Sequence, residues 1–105
     1  MSLDVRYHPL AATELVDAEA WYEQQNRGLG DRFFVAFEAT LKRVSRGPHV
    51  GTPVVVEDDG TVVNRKTGIG GFPWAVGHEV TGDTVIVLAV FHHRRRPDYW
   101  TTRQH

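Results

Sequence analysis

Residues 9 to 46 carry apolar side chains at spacings of three and four, whereas residues 54 to 92 alternate or run apolar in short stretches broken by glycine. In the first region Leu10, Ala11, Leu15, Ala18 and Tyr22 fall on one stripe. Pro9 suits a first helical turn, where its missing N–H has no partner to lose. The spacing predicts a helix from Pro9 to Gln25. "NRGLGD" breaks it with Gly28 and Gly30, and Asp31 is placed to cap or charge-stabilise a new start. Phe33, Phe34, Phe37, Leu41 and Val44 then form a second stripe that Gly47-Pro48 stops. Ahead of both, Leu3, Val5 and Tyr7 alternate with Asp4 and Arg6, the period of a half-buried strand.

The second region reads as strands: "VVVE" at 54–57, "TVVNRKTG" at 61–68, "FPWAVGHEV" at 72–80 and "TVIVLAVFH" at 84–92. Asp59-Gly60 and Gly82-Asp83 are hairpin turn signals between β-branched runs, which makes these strands antiparallel neighbours. Residues 85–91 are apolar on both faces, as a central strand covered on both sides must be. The expected class is α+β, in the order β-α-α-β-β-β with an additional short strand at 54–57. An antiparallel sheet packs against an N-terminal helical hairpin in one domain spanning 1–105.

Composition narrows the chemistry. With 105 residues, 41% hydrophobic and 24% charged, the chain can bury a core and is neither disordered nor fibrous. The absence of cysteine removes disulfides, thiolate catalysis and zinc ribbons. The opening "MSLDVRYHPL" has no basic region followed by an apolar one, and no window approaches a membrane span, so a cytoplasmic location is expected.

The net charge of −1 conceals an asymmetry, because residues 1–59 hold six Lys/Arg against ten Asp/Glu and residues 60–105 hold six against three. Four of the six histidines also lie in that basic half. Its densest part is "FHHRRRPDYW" at 91–100, directly after the apolar strand.

Guanidinium groups grip phosphate or carboxylate with two parallel hydrogen bonds, so Arg94, Arg95 and Arg96 are candidates for holding an anion. Extended backbone would put Arg94 and Arg96 on the face of His92 and leave Arg95 on the other. His92 continues the Ile86, Leu88, Val90 face and is the candidate for proton transfer. Arg65 and Lys66 belong to the same basic half, and Arg65 is expected to converge with Arg94 on one concavity. Pro97 ends the strand, and Tyr99 and Trp100 pin the tail to the domain. The alternative is a solvated strand end with an arginine stacked on Trp100. His78 shares a face with Trp74, Val76 and Val80 and reads as a packed sheet residue. Adjacent histidines in a strand point apart and no carboxylate completes a ligand set, so neither a metal nor a cofactor is expected. Phosphate-binding glycine loops and a serine elbow are absent.

Taken in order, "HPLAATEL", the helical hairpin, Arg65 on a middle strand, "FPWAVGHEV" and "VFHHRRRPDYWTTR" resemble the RelE/ParE toxin superfamily of bacterial toxin-antitoxin modules. The resemblance implies a growth-inhibiting, plasmid-stabilising toxin bound and neutralised by a cognate antitoxin, as a homodimer or a heterotetramer with it. For the ParE-like branch it implies DNA gyrase as target. For the RelE-like branch it implies metal-independent cleavage of mRNA on the ribosome, with His92, Arg94 and Arg65 catalytic. In either branch Arg65, Lys66, Arg94, Arg95, Arg96, Tyr99 and Trp100 would meet phosphate or antitoxin. Trp74 stands where members of the superfamily usually have tyrosine, and the lysine-rich stretch of the nucleases is missing. A third reading is a non-toxic peptide-binding module or a decayed toxin.

Overall fold

The computed structural model describes residues 2–47 and 49–104. Strand β1 (Asp4–Tyr7) leads into helices α1 (Pro9–Gln25) and α2 (Leu29–Arg46). Strands β2 (Thr52–Val56), β3 (Val62–Gly68), β4 (Trp74–Thr81) and β5 (Thr84–His92) follow. The α+β class and the helical hairpin are as expected. Pro48, expected to help stop α2, lies outside the described residues.

Helix α1 starts where the pattern places it. His8 is extended and its Nδ1 accepts the Leu10 N–H at 3.1 Å, with Pro9 next in the first turn. Helix α2 starts on a device the pattern does not reveal. Gly28 sits at φ 86° with no side-chain cap of its own, a left-handed conformation that glycine adopts without strain. Instead the Glu23 carboxylate, from the last turns of α1, accepts the N–H groups of Gly28 and Gly30 at 3.0–3.1 Å. Asp31 lies in the first turn, where its charge favours the helix N-terminus.

The sheet order is β1-β5-β4-β3-β2. All pairs are antiparallel except β1 with β5, which run parallel, so the sheet is mixed rather than wholly antiparallel. The helical hairpin accounts for the difference: it carries the chain away from β1, and the strand that returns beside β1 is the last one. On one face Ala11, Leu15, Ala18, Tyr22, Phe33 and Phe37 of the helices pack against Ile69, Val76, Val87 and Val90. On the other, Ala75, Ile86, Leu88, Ala89 and Phe91 are covered by Trp100 of the C-terminal tail.

The faces of β5 are set by a register shift. Gly77 pairs with Ala89 but His78 pairs with Val87, so Leu88 is an extra residue in β5. Ile86 and Leu88 therefore belong to the tail face while Val90 belongs to the helix face. The expected continuous face of Ile86, Leu88, Val90 and His92 is broken at Leu88, and His92 follows Val90 to the helix side.

Candidate functional site

Strand β5 stops at His92, well before Pro97, because the chain turns there. The His92 carbonyl accepts the Arg95 N–H at 2.9 Å and the His92 Nδ1 accepts the Arg94 N–H at 3.0 Å. An N–H donor needs an unprotonated acceptor, so while this bond holds the ring carries its hydrogen on Nε2. His92 stands edge-on to Trp74, ring centres 5.5 Å apart. Because the backbone turns, alternation fails: Arg94 and Arg95 both line a cavity of about 470 Å³ with His92, Trp74, Trp21 and Asp17. Arg96 is exposed and lines none of the cavities described here.

Sequence reading missed the residue that organises this end of the molecule. Strand β1 pairs with β5 only as far as Val87, leaving the outer edge of β5 bare beyond it. Glu14 of α1 covers that edge, its Oε1 accepting the Val90 N–H at 3.1 Å. It also accepts the Tyr99 hydroxyl at 2.5 Å and both terminal nitrogens of Arg103, at 2.8 and 3.2 Å. Arg103 Nη1 donates in turn to the Leu88 carbonyl at 2.9 Å. Arg95 and Arg103 lie 4.1 and 5.0 Å from the Tyr99 ring centre, so the stacked ring is Tyr99 and not Trp100. Burial, then the bond to Glu14, pushes the Tyr99 hydroxyl far above its ordinary range and keeps it a donor. Tyr99 and Trp100 do pin the tail, but as parts of an internal clamp. Nothing in local spacing marks Glu14 or Arg103, since they are 89 positions apart.

Arg65 is elsewhere. It pairs with His78 on β4, and its Nη1 donates to the Gly51 carbonyl at 3.2 Å. The cavity it lines, about 450 Å³, holds His49, Asn64, His78 and Glu79 and none of Arg94, Arg95 or His92. Lys66 pairs with Gly77 and lines a small cavity with His93, Arg95 and Trp100. The expected convergence of Arg65 with Arg94 on one concavity does not occur. Arg65 lies level with His78 and Val87 along the sheet, whereas Arg94 lies past the end of β5.

His78 is the packed residue its alternation predicts, 1% exposed, with Nε2 2.8 Å from Thr67 Oγ1. Burial first, and then the neighbouring Arg65 charge, lower its pKa to about 4. The unfolded chain, with histidine near 6.5, therefore binds the proton more readily than the fold does. Stability from this group is complete above about pH 6.5 and declines as pH falls toward 4. Denaturant unfolding from pH 7.5 to 4.5 checks this against His78→Gln, in which that part of the slope is expected to vanish.

Among the described residues no three His, Cys, Asp or Glu are grouped to hold a metal ion, and no helix is long and apolar enough to cross a membrane.

Known proteins resemble this arrangement. A chain of the chromosomal ParDE TA system from P. aeruginosa superimposes with a TM-score of 0.61 at 16% identity, covering 87% of this chain and 96% of that one, a likeness of fold. No curated protein sequence matches. The family model for the ParE toxin of type II toxin-antitoxin systems, parDE, matches residues 5–97, from β1 through the basic outlet of β5. By that match over most of its length, this chain belongs to the ParE toxin family.

Proposed function

We propose that this chain is an active growth inhibitor of the ParE kind, working in the cytoplasm on DNA gyrase, without RNA cleavage, and neutralised by a cognate antitoxin. One observation carries the choice between mechanisms: Arg65 lines a different cavity from His92 and Arg94. Metal-independent cleavage through a ribose 2'-OH needs a base and phosphate-holding cations around the same atoms, within hydrogen-bond reach. Here the His92 Nδ1 already accepts the Arg94 N–H, so that nitrogen is engaged within the turn rather than directed at a bound ribose. The exposed arginines of the outlet, Arg94, Arg95 and Arg96, remain fitted to bind an acidic surface.

Induced expression in a host lacking the antitoxin is expected to arrest growth with intact translated mRNA, and purified protein to inhibit gyrase supercoiling. His92→Ala combined with Arg94→Ala should weaken arrest by no more than the loss of one surface cation from a binding face does, since neither residue then performs a chemical step. Arrest abolished by that pair, with fragmented mRNA in the parent, would establish the RelE-like reading instead. Harmless expression of the soluble parent would leave only the non-toxic binding module.

A further inference from the structure

The cavity of about 470 Å³ beside the outlet of β5 is within the size range of small-molecule sites, and two indoles line it. Both Trp21 and Trp74 touch Tyr22, with ring centres 5.0 and 6.3 Å away. Trp74 is anchored through its Nε1, which donates to the Tyr22 hydroxyl at 2.9 Å. Trp21 makes no hydrogen bond within the described residues and stays 53% exposed, a large apolar ring left in water. The same cavity carries both signs of charge. Asp17 of α1 and Arg94 past β5 line it, both exposed, and among the described residues neither side chain has a hydrogen bond or an ion pair. Glu14 and Arg95, also in its lining, are already engaged by Arg103 and Tyr99. His92 gives its Nδ1 to the turn, so the group it offers an acceptor is the Nε2–H.

We propose that this cavity binds a free guanine nucleotide, with the base stacked on the indoles, its Watson–Crick edge on Asp17 and its phosphate on Arg94. Neither the antitoxin nor the cellular target enters this assignment. Every base has a π face on which an indole can stack, so the two rings call for a base without choosing which. Asp17 makes the choice. An ionised carboxylate only accepts hydrogen bonds, and it accepts through two oxygens. Guanine sets two donors side by side, its ring N–H and its amino group, whereas adenine and cytosine set a bare ring nitrogen next to the amino group. The carboxylate therefore meets two donors on guanine, and one donor beside a repelling lone pair on the others. No glycine loop is present to cradle phosphate, and the unpaired Arg94 guanidinium supplies two parallel N–H bonds in its place. The His92 Nε2–H adds a donor for phosphate or for the guanine carbonyl.

Titration of the full chain with guanosine monophosphate, followed by tryptophan fluorescence and calorimetry, tests the proposal. Saturable binding is expected below about 1 mM. Adenosine monophosphate should bind about tenfold more weakly or worse, for want of the paired donors. Guanosine without phosphate should lose about fivefold or more. Trp21→Ala should weaken the nucleotide by about fivefold or more through lost stacking. Asp17→Asn, at an exposed side chain with no partner to lose, should keep the urea-unfolding midpoint and erase the preference for guanine, because an amide suits adenine as well. If Trp21→Ala folds poorly, Asp17→Asn decides alone. Equal binding of the two nucleotides by the parent, or a preference that survives Asp17→Asn, overturns the proposal. Inorganic phosphate competing as well as the nucleotide would mark an anion site only and overturn it too. No saturable binding below about 10 mM has the same consequence, as does binding confined to an RNA oligonucleotide.

Discussion

Trp100→Ala is expected to be the most damaging single change in this chain, costing about 3–5 kcal/mol, the range for truncating a fully buried aromatic. Trp100 is 1% exposed and stacks on Phe91 with ring centres 5.8 Å apart. It is the lid of the tail face, over Ala75, Ile86, Leu88 and Ala89. Domains of this size are stable by about 5–15 kcal/mol in all, so the loss should lower the melting temperature by roughly 15 °C or more. The ring sits where it does because Gly77 lies beneath it: a Cβ at 77 would stand 2.8–2.9 Å from three of its atoms. Gly77→Ala should therefore also destabilise strongly, but only while Trp100 is present. In a double-mutant cycle by urea unfolding, Gly77→Ala is expected to be nearly neutral in the Trp100→Ala background. Additive costs would show that the tail is not seated on Gly77.

Glu14→Ala should come next, at about 2–4 kcal/mol. The carboxylate is 15% exposed and answers Arg103, itself 12% exposed, together with Tyr99 and the Val90 N–H. Removing it strands a largely buried guanidinium, the circumstance in which losing one partner costs far more than the pair itself contributes. Replacing both Glu14 and Arg103 with leucine is accordingly expected to cost less than Glu14→Ala alone. The change also bares the β5 edge beyond Val87, which Glu14 and Arg103 cover through Val90 and Leu88. A bare edge invites pairing with another chain. Concentration-dependent association in sedimentation should thus accompany the loss of stability. A variant that is as stable as the parent and associates no more than the parent does would show the clamp to be ornamental.

These two clusters give the basic outlet its character. Of its cations, Arg95 stacks on Tyr99 and lies 4.0 Å from Glu14, so part of its charge is answered within the fold. Arg94 and Arg96 are exposed, and Lys66 is exposed near Arg95. The tail thus mounts these surface cations between two buried contacts, Trp100 on the sheet and Glu14 with Arg103.

How much of this could be read in advance varied with range. Helix α1 begins and ends where its stripe of Ala11, Leu15, Ala18 and Tyr22 says, because each of those positions reports its own burial. His78 was legible for the same reason, sharing a face with Trp74 and Val76. His92 reached the opposite face from Ile86 and Leu88, since one extra residue in β5 inverts everything after it and alternation carries no mark of a bulge. The Arg94–Arg96 spacing misled because it assumed extended backbone where the chain turns on His92. Arg65 and Arg94 shared a charge and a half of the chain, neither of which is a distance.

The sequence by itself determined the number and order of the elements, the hairpin turns at Gly60 and Gly82, the double-sided burial of β5 and the likeness to the family. All of these follow from local periodicity and turn chemistry, which act over a few residues. Only the tertiary structure decided that β1 returns parallel to β5, that Glu14 meets Arg103 across 89 positions, and that Arg65 and Arg94 line different cavities. Those outcomes depend on which distant surfaces close together, and the free energy that selects them lies in packing and hydrogen-bond partners that no single segment contains.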